Sequence, residues 1–368
     1  MTRTCILHIG LSKTGSSSIQ RTLHRYDDGR LAYARIRDPN HSSPLFQIFC
    51  SDPARRDRPF LNWRTPADQA AVAKRHAAAF DREMTRPRDV IFSAEGICGK
   101  LTADEIGDMA ARLRRHFDRV RVIAYLRPYR NACASAWQQN VKMGENRFVL
   151  PRPAFRGRLQ PFIRHFGKDS VEMRPFDRAA LINGDVIDDF AALIGIDPAG
   201  LRRQTVNESV SLEALSIVYA HNRFAVHPGS RAERRMSRIA LVQDLADFGT
   251  QRFGFDPALV DAACKHHRAD LDWASRLLGV DMAGTCPAVE RPIGTEAELL
   301  ALAARHRAAA EAHVRSRRAS GPAVRAAQPG GVAAVPDGWS GRAAASMLGW
   351  AGRGRRAISR LAKRAVAR

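Results

Sequence analysis

Apolar residues follow two rhythms along this chain. Short, largely apolar stretches at 5–9 (CILHI), 88–93 (RDVIFS) and 120–126 (VRVIAYL) suit strands buried on both faces, as in a parallel sheet, and 171–176 (VEMRPF) reads as another strand. Between them apolar positions recur every three or four residues, which predicts helices. One runs from Ile19 through Leu23 and Tyr26, and one covers 67–85 with an alanine-rich face. The next, over 102–117, carries Ile106, Met109, Leu113 and Phe117 as its stripe, with Thr102 and Glu105 as a capping box. Another starts at Pro128 and stops at Gly144, a suitable C-cap, and 184–196 is amphipathic. The alternation predicts a three-layer α/β fold: a central parallel sheet of about five strands with helices on both faces. Further helices are expected over 212–224, 232–248 and 257–278, and an alanine-rich one from Thr295, with Glu298 closing its capping box, to about Arg318. Residues 38–66, rich in Pro, Asp, Ser and Arg, read as a long irregular connection around His41, of the kind that shapes a cleft.

Chemistry gathers where the runs end. After the first comes Gly10-Leu11-Ser12-Lys13-Thr14-Gly15-Ser16-Ser17-Ser18, small and hydroxylated apart from one lysine. A polar loop between a strand and a helix is an anion site, with backbone N–H groups and the positive end of the helix dipole facing outward. The order departs from Gly-x-x-x-x-Gly-Lys-Ser/Thr, because Lys13 precedes the second glycine. The second run delivers Glu95 just past its end, on the edge where open α/β sheets do chemistry. The third delivers Arg127, with Ser135 eight residues on, about two turns along the following helix. Arginine offers a planar fork matched to phosphate, and serine adds a hydroxyl donor.

Charge and cysteine content narrow the classes. The chain has 368 residues, 45% apolar and 26% charged, with a net charge of +22 that calls for anionic partners. Eight basic residues and no acid fall in 341–368, leaving +14 on the remainder. Six cysteines are scattered with no Cys-x-x-Cys spacing, so free thiols are expected rather than a disulfide frame or a zinc site. His266-His267 suggests no metal either, since neighbours on a helix point apart. Aromatics make up 7% and are not interleaved with the basic runs, which argues against nucleic acid. No apolar run reaches the length of a membrane span and residues 1–4 lead straight into a strand. A cytoplasmic protein is therefore expected, with contact to the inner face of a membrane through its tail. In that tail Met347, Trp350, Ile358 and Leu361 share one helical face, with Arg353, Arg356, Arg360 and Lys363 on much of the rest. The organisation expected is an α/β domain over 1–286, a helical extension over 287–319, an Ala/Gly/Pro linker over 320–340 and a basic amphipathic tail over 341–368.

Lys13-Thr14-Gly15-Ser16-Ser17-Ser18 resembles the 5′-phosphosulfate loop of sulfotransferases, and Arg127-x7-Ser135 resembles their 3′-phosphate site in order and spacing. Arg130, Trp137 and Gln138, the run Arg174-Pro175-Phe176-Asp177-Arg178, Leu193-Ile194-Gly195-Ile196-Asp197 and Asn207-Glu208-Ser209-Val210-Ser211 are similar to bacterial sulfotransferase-like proteins, so the resemblance covers about 4–211. It implies a P-loop-like α/β domain that uses 3′-phosphoadenosine 5′-phosphosulfate (PAPS) as donor, without a metal. It also implies that Lys13–Ser18 hold the phosphosulfate, that Lys13 serves catalysis, and that Arg127 and Ser135 hold the 3′-phosphate. Glu95 is the candidate general base and His41 the reserve. The acceptor expected is a hydroxyl or amine, of glycan or glycolipid class. Two other classes fit less well: a P-loop kinase or NTPase, which needs a strand-end Asp for Mg²⁺, and a basic binding protein without catalysis.

Overall fold

The computed structural model describes residues 2–36, 38–56, 66–204, 209–225 and 230–319. The expected linker and tail, the end of the 38–66 connection and Asn207-Glu208 lie outside the described residues. Five strands form one wholly parallel sheet in the order β2-β3-β1-β4-β5. They are β1 (Thr4–His8), β2 (Leu31–Tyr33), β3 (Asp89–Ser93), β4 (Arg119–Leu126) and β5 (Val171–Pro175). The α/β expectation holds. The helices are α1 (Ser16–Leu23), α2 (Ser42–Phe49), α3 (Pro53–Arg56), α4 (Pro66–Thr85), α5 (Ala103–Arg114), α6 (Tyr129–Met143), α7 (Phe155–Phe166) and α8 (Val186–Ile194). Then come α9 (Leu212–Phe224), α10 (Arg231–Asp244), α11 (Pro257–His266), α12 (Arg268–Leu278) and α13 (Glu296–Ala319).

The chain divides into two units, the first being Met1–Tyr129, Pro153–Val206 and His267–Gly284. It contains the sheet. On one face Ile6, Ile91, Ile123 and Tyr125 are packed by Ile19 and Leu23 of α1 and by Val186, Phe190 and Ile194 of α8. On the other, Phe92 meets Phe80 of α4 (ring centres 5.4 Å apart), which in turn meets Phe49 of α2 (5.6 Å). The second unit, Arg130–Arg152, Asn207–His266 and Thr285–Arg368, is built on Trp137, whose fully buried indole lies among Phe148, Tyr219, Phe253 and Phe255.

Register sets the first unit's business edge. His8 lies opposite both Ser93 and Ile123, so β1 and β3 end together while β4 runs on to Leu126. The Ala94 N–H extends the pairing by donating to the His8 carbonyl at 2.8 Å.

Residues 38–56 are not irregular as expected, since α2 and α3 lie in them. Glu105 of α5 secures the segment. Its carboxylate accepts from the Ser51 N–H and hydroxyl, both at 2.8 Å, from Arg55 at 3.0 Å and from the Thr102 N–H at 2.9 Å. Burial pushes its carboxyl up, but these bonds outweigh that and hold it at about 2. Glu105→Gln leaves one N–H donor facing another, and should destabilise the fold by about 1–3 kcal/mol in urea titrations at neutral pH. Because the folded-state value lies below the ordinary 4.5, the stabilisation is complete above 4.5 and fades as pH falls towards 2, where wild type and variant converge.

Candidate functional site

The loop after β1 stays fastened to β4. Ile9 N–H donates to the Ile123 carbonyl (2.9 Å), Tyr125 N–H to Gly10 (2.6 Å), and Leu11 N–H to Tyr125 (2.8 Å). The Leu11 carbonyl then accepts both the Thr14 hydroxyl (2.5 Å) and the Ser16 hydroxyl (3.2 Å), drawing the loop into a tight ring. Thr14 and Ser16 are buried and shape the ring from inside. Lys13, Gly15, Ser17 and Ser18 are partly exposed. Gly15 caps α1 with φ +73°, and within α1 the Ser18 and Ile19 N–H groups return to its carbonyl, leaving the earlier N–H groups outside the helix ladder. Lys13 has φ +68°, a left-handed conformation that costs a lysine about 1 kcal/mol. Such strain persists where the surroundings impose it, as at sites that hold a ligand.

Two contacts join this loop to the other strand ends. A Cβ on Gly10 would stand 2.8 Å from the Glu95 Cβ, so only glycine lets the loop lie against Glu95. A Cβ on Gly15 would meet Val186 at 2.7 Å and the Phe176 ring at 3.4 Å. Phe176 follows β5, held by its N–H on the Leu126 carbonyl (2.7 Å), and the Arg127 guanidinium lies 5.8 Å from its ring centre. Phe176 thus stands between the loop and Arg127, a wall that the apolar ends of strands do not announce.

The remaining candidates have other duties. His41, expected within an irregular connection, is buried at the start of α2. Its N–H donates to the Ser93 carbonyl (2.9 Å), its Nδ1 accepts the Ser93 N–H (3.1 Å), and burial lowers its pKa to about 3. It steadies the end of β3, which presents Glu95. His8, unremarked in its apolar strand, is likewise buried and held at about 3, its Nδ1 paired with the Ser93 hydroxyl at 2.8 Å. Ser135 belongs to the second unit and donates to the Ala132 carbonyl one turn back (2.9 Å), whereas Arg127 belongs to the first. Arg130 is paired with Asp261 at 2.9 Å, Trp137 is core and Gln138 is buried. Arg174 forks onto Asp189, which also accepts from Tyr125 (2.6 Å), so this arginine braces β5 against α8. None of the six cysteines forms a disulfide. Among the described residues, no helix is long and apolar enough to cross a membrane, and no three His, Cys, Asp or Glu side chains group as a metal site requires.

No protein-family model and no curated protein matches the chain. Solved structures similar to it include a sulfotransferase from Alicyclobacillus acidocaldarius, 14% identical, with 76% of this chain and 98% of that one covered and a TM-score of 0.41. Another is mouse sulfotransferase SULT7A1 complexed with PAP, 11% identical over 75% of this chain and 88% of that one, with a TM-score of 0.31.

Proposed function

We propose that the chain transfers a sulfuryl group from PAPS to a hydroxyl or amine acceptor. The observation that carries this reading is the grouping at one sheet edge of the first unit, where the strained Lys13 loop lies against Glu95 and, through Phe176, beside Arg127. The loop N–H groups and the Ser17 and Ser18 hydroxyls would bind the donor's 5′-phosphosulfate, and Arg127 would take its 3′-phosphate. Ser135 enters on the sequence pattern alone. Sulfuryl transfer is an in-line displacement that, like phosphoryl transfer, needs positioning and charge stabilisation more than covalent help. Lys13 would neutralise the bridging oxygen as it leaves, and Glu95 would accept the acceptor's proton. The chain's basic excess suits an acceptor of anionic character, such as an acidic glycan or a glycolipid.

Metal-free titration calorimetry tests the donor. Charge-assisted hydrogen bonds contribute about 1.5–3 kcal/mol each, so adenosine 3′,5′-bisphosphate should bind roughly 10- to 150-fold more tightly than AMP or ADP. Arg127→Ala should erase most of that difference. Equal affinity for all three nucleotides, or binding only with Mg²⁺, would overturn the proposal in favour of a kinase-like enzyme.

A further inference from the structure

Five residues after Glu95 the chain has doubled back. Ile97 N–H donates to the Ala94 carbonyl (3.3 Å) and Lys100 N–H to the Ile97 carbonyl (3.1 Å), across a short 3₁₀ turn over Ile97–Gly99. The Lys100 backbone is clamped from outside as well. Arg55, anchored on Glu105, donates to the Lys100 carbonyl. The side chain accordingly runs back along the turn, and Nζ lies 3.3 Å from where a Cβ on Gly96 would be. Gly96 is itself pinned, its N–H donating to the Ser42 hydroxyl at 2.9 Å. An ammonium group therefore stands over the residue next to Glu95, at the edge where the Lys13 loop touches Glu95.

We propose that Lys100 and Glu95 form a coupled pair in which the Lys100 ammonium positions the Glu95 carboxylate and keeps it ionised beside the loop. The pairing makes Lys100 a positioning residue; its catalytic consequence rests on the sulfotransferase reading.

Charged and titratable groups come close to the turn from several elements. Glu95 and Cys98 belong to the turn, Arg55 to α3 and Glu105 to α5. Arg158 of α7 has its Nε 3.9 Å from where a Cβ on Gly99 would be. Glu105 is taken up by Ser51, Arg55 and Thr102, so Glu95 is the carboxylate that acts on Lys100. Burial draws Lys100 down to about 8, while Glu95 and then Cys98 pull it back up. Coupling is reciprocal: what Glu95 adds to the proton affinity of Lys100, charged Lys100 subtracts from that of Glu95. The sign follows. At neutral pH Lys100 is charged, and as pH rises through about 8 it loses its proton, so Glu95 becomes the stronger base.

Reductive methylation with ¹³C-formaldehyde and NMR titration reads the pair without any turnover. The sequence holds seven lysines, and the Lys100 signal is assigned by its loss in Lys100→Arg. It should titrate well below the others in the wild type and fall by about one further unit, tenfold in proton affinity, in Glu95→Gln. A Lys100 signal that titrates with the other lysines, or that Glu95→Gln does not move, overturns the pairing. With PAPS and an acceptor, kcat/KM should rise through about pH 8 in the wild type. Lys100→Met and Lys100→Arg should both lose that rise, and only Lys100→Arg should keep the neutral-pH rate, because methionine, unlike the neutral amine, has no N–H with which to hold the carboxylate; affinity for adenosine 3′,5′-bisphosphate should be unchanged. An alkaline rise surviving in Lys100→Met would also overturn it. Coupling seen by NMR in a protein that transfers no sulfuryl group would instead uphold the pair and sink the functional reading.

Discussion

Lys13→Met should lower the turnover of PAPS by about 10²- to 10³-fold, the usual loss when one group stabilising the transition-state charge is removed. Affinity for adenosine 3′,5′-bisphosphate should change far less. The asymmetry has a structural cause. In the proposed reading the loop would grip phosphate with its backbone and its ring, held by Thr14 and Ser16 on the Leu11 carbonyl and by Gly15 at the start of α1. None of these depends on the Lys13 side chain. Methionine, like lysine, must accept φ +68°, so the variant adds no backbone strain of its own and keeps the length of the chain. What it lacks is the positive charge, and that charge is needed most when the bridging oxygen departs as an anion. Lys13→Arg should recover part of the rate, since the charge returns on a broader group. Comparing kcat with calorimetric affinity decides the role. Equal loss of both would make Lys13 a ground-state anchor, and no loss in either would remove it from the site.

β1, β3 and β4, which carry the site, were legible because each is largely buried on both faces, whereas β5 is only partly buried. The three stand out as apolar runs, and Lys13, Glu95 and Arg127 follow their ends. β2 was not legible. Its three residues are too few to show a period, and they are set in place by Asp28, whose carboxylate takes the Leu31 N–H at 2.6 Å. In α2 the pattern Leu45-Phe46-Phe49 is helical, but Asn40, Ser42, Ser43 and Pro44 disguised a helix start as loop composition. α7 hides a stripe of Phe155, Leu159, Phe162 and Phe166 behind Gly157, Pro161 and its arginines. Side-chain duty was harder to read than position. Thr14 and Ser16 were assigned to phosphate along with the rest of the loop, yet their hydroxyls turn inward. His41 sat in a polar stretch, and its partner Ser93 lies 52 residues away, beyond any local pattern. Trp137 and Arg130 matched a family pattern and proved to be a core residue and one half of an ion pair in the second unit. Lys100 lacked any signal at all, since only the 3₁₀ turn brings it back over Gly96.

Glu95→Gln should reduce turnover by about 10²- to 10⁴-fold, the contribution of a well-placed general base. An amide replaces a carboxylate of the same shape, so the close approach of Gly10 and the Cys98 thiol on the Glu95 carbonyl (3.2 Å) are retained, and the fold should survive with only a modest loss of stability as Lys100 loses the Glu95 charge. Neither nearby histidine can take over. His8 and His41 are buried, held at about 3, and engaged with Ser93. The identity of the acceptor offers a sharper test than the size of the loss. An aliphatic hydroxyl must surrender its proton as it attacks, whereas a phenol, far more acidic, needs that help much less. The Glu95→Gln loss should therefore shrink markedly when a phenolic acceptor replaces an aliphatic alcohol. Lys13 acts on the departing oxygen, so its loss should stay the same across the two acceptors. If instead the Glu95→Gln loss ignores acceptor acidity, Glu95 orients the acceptor rather than taking its proton, and the base must be sought among other residues or in the solvent.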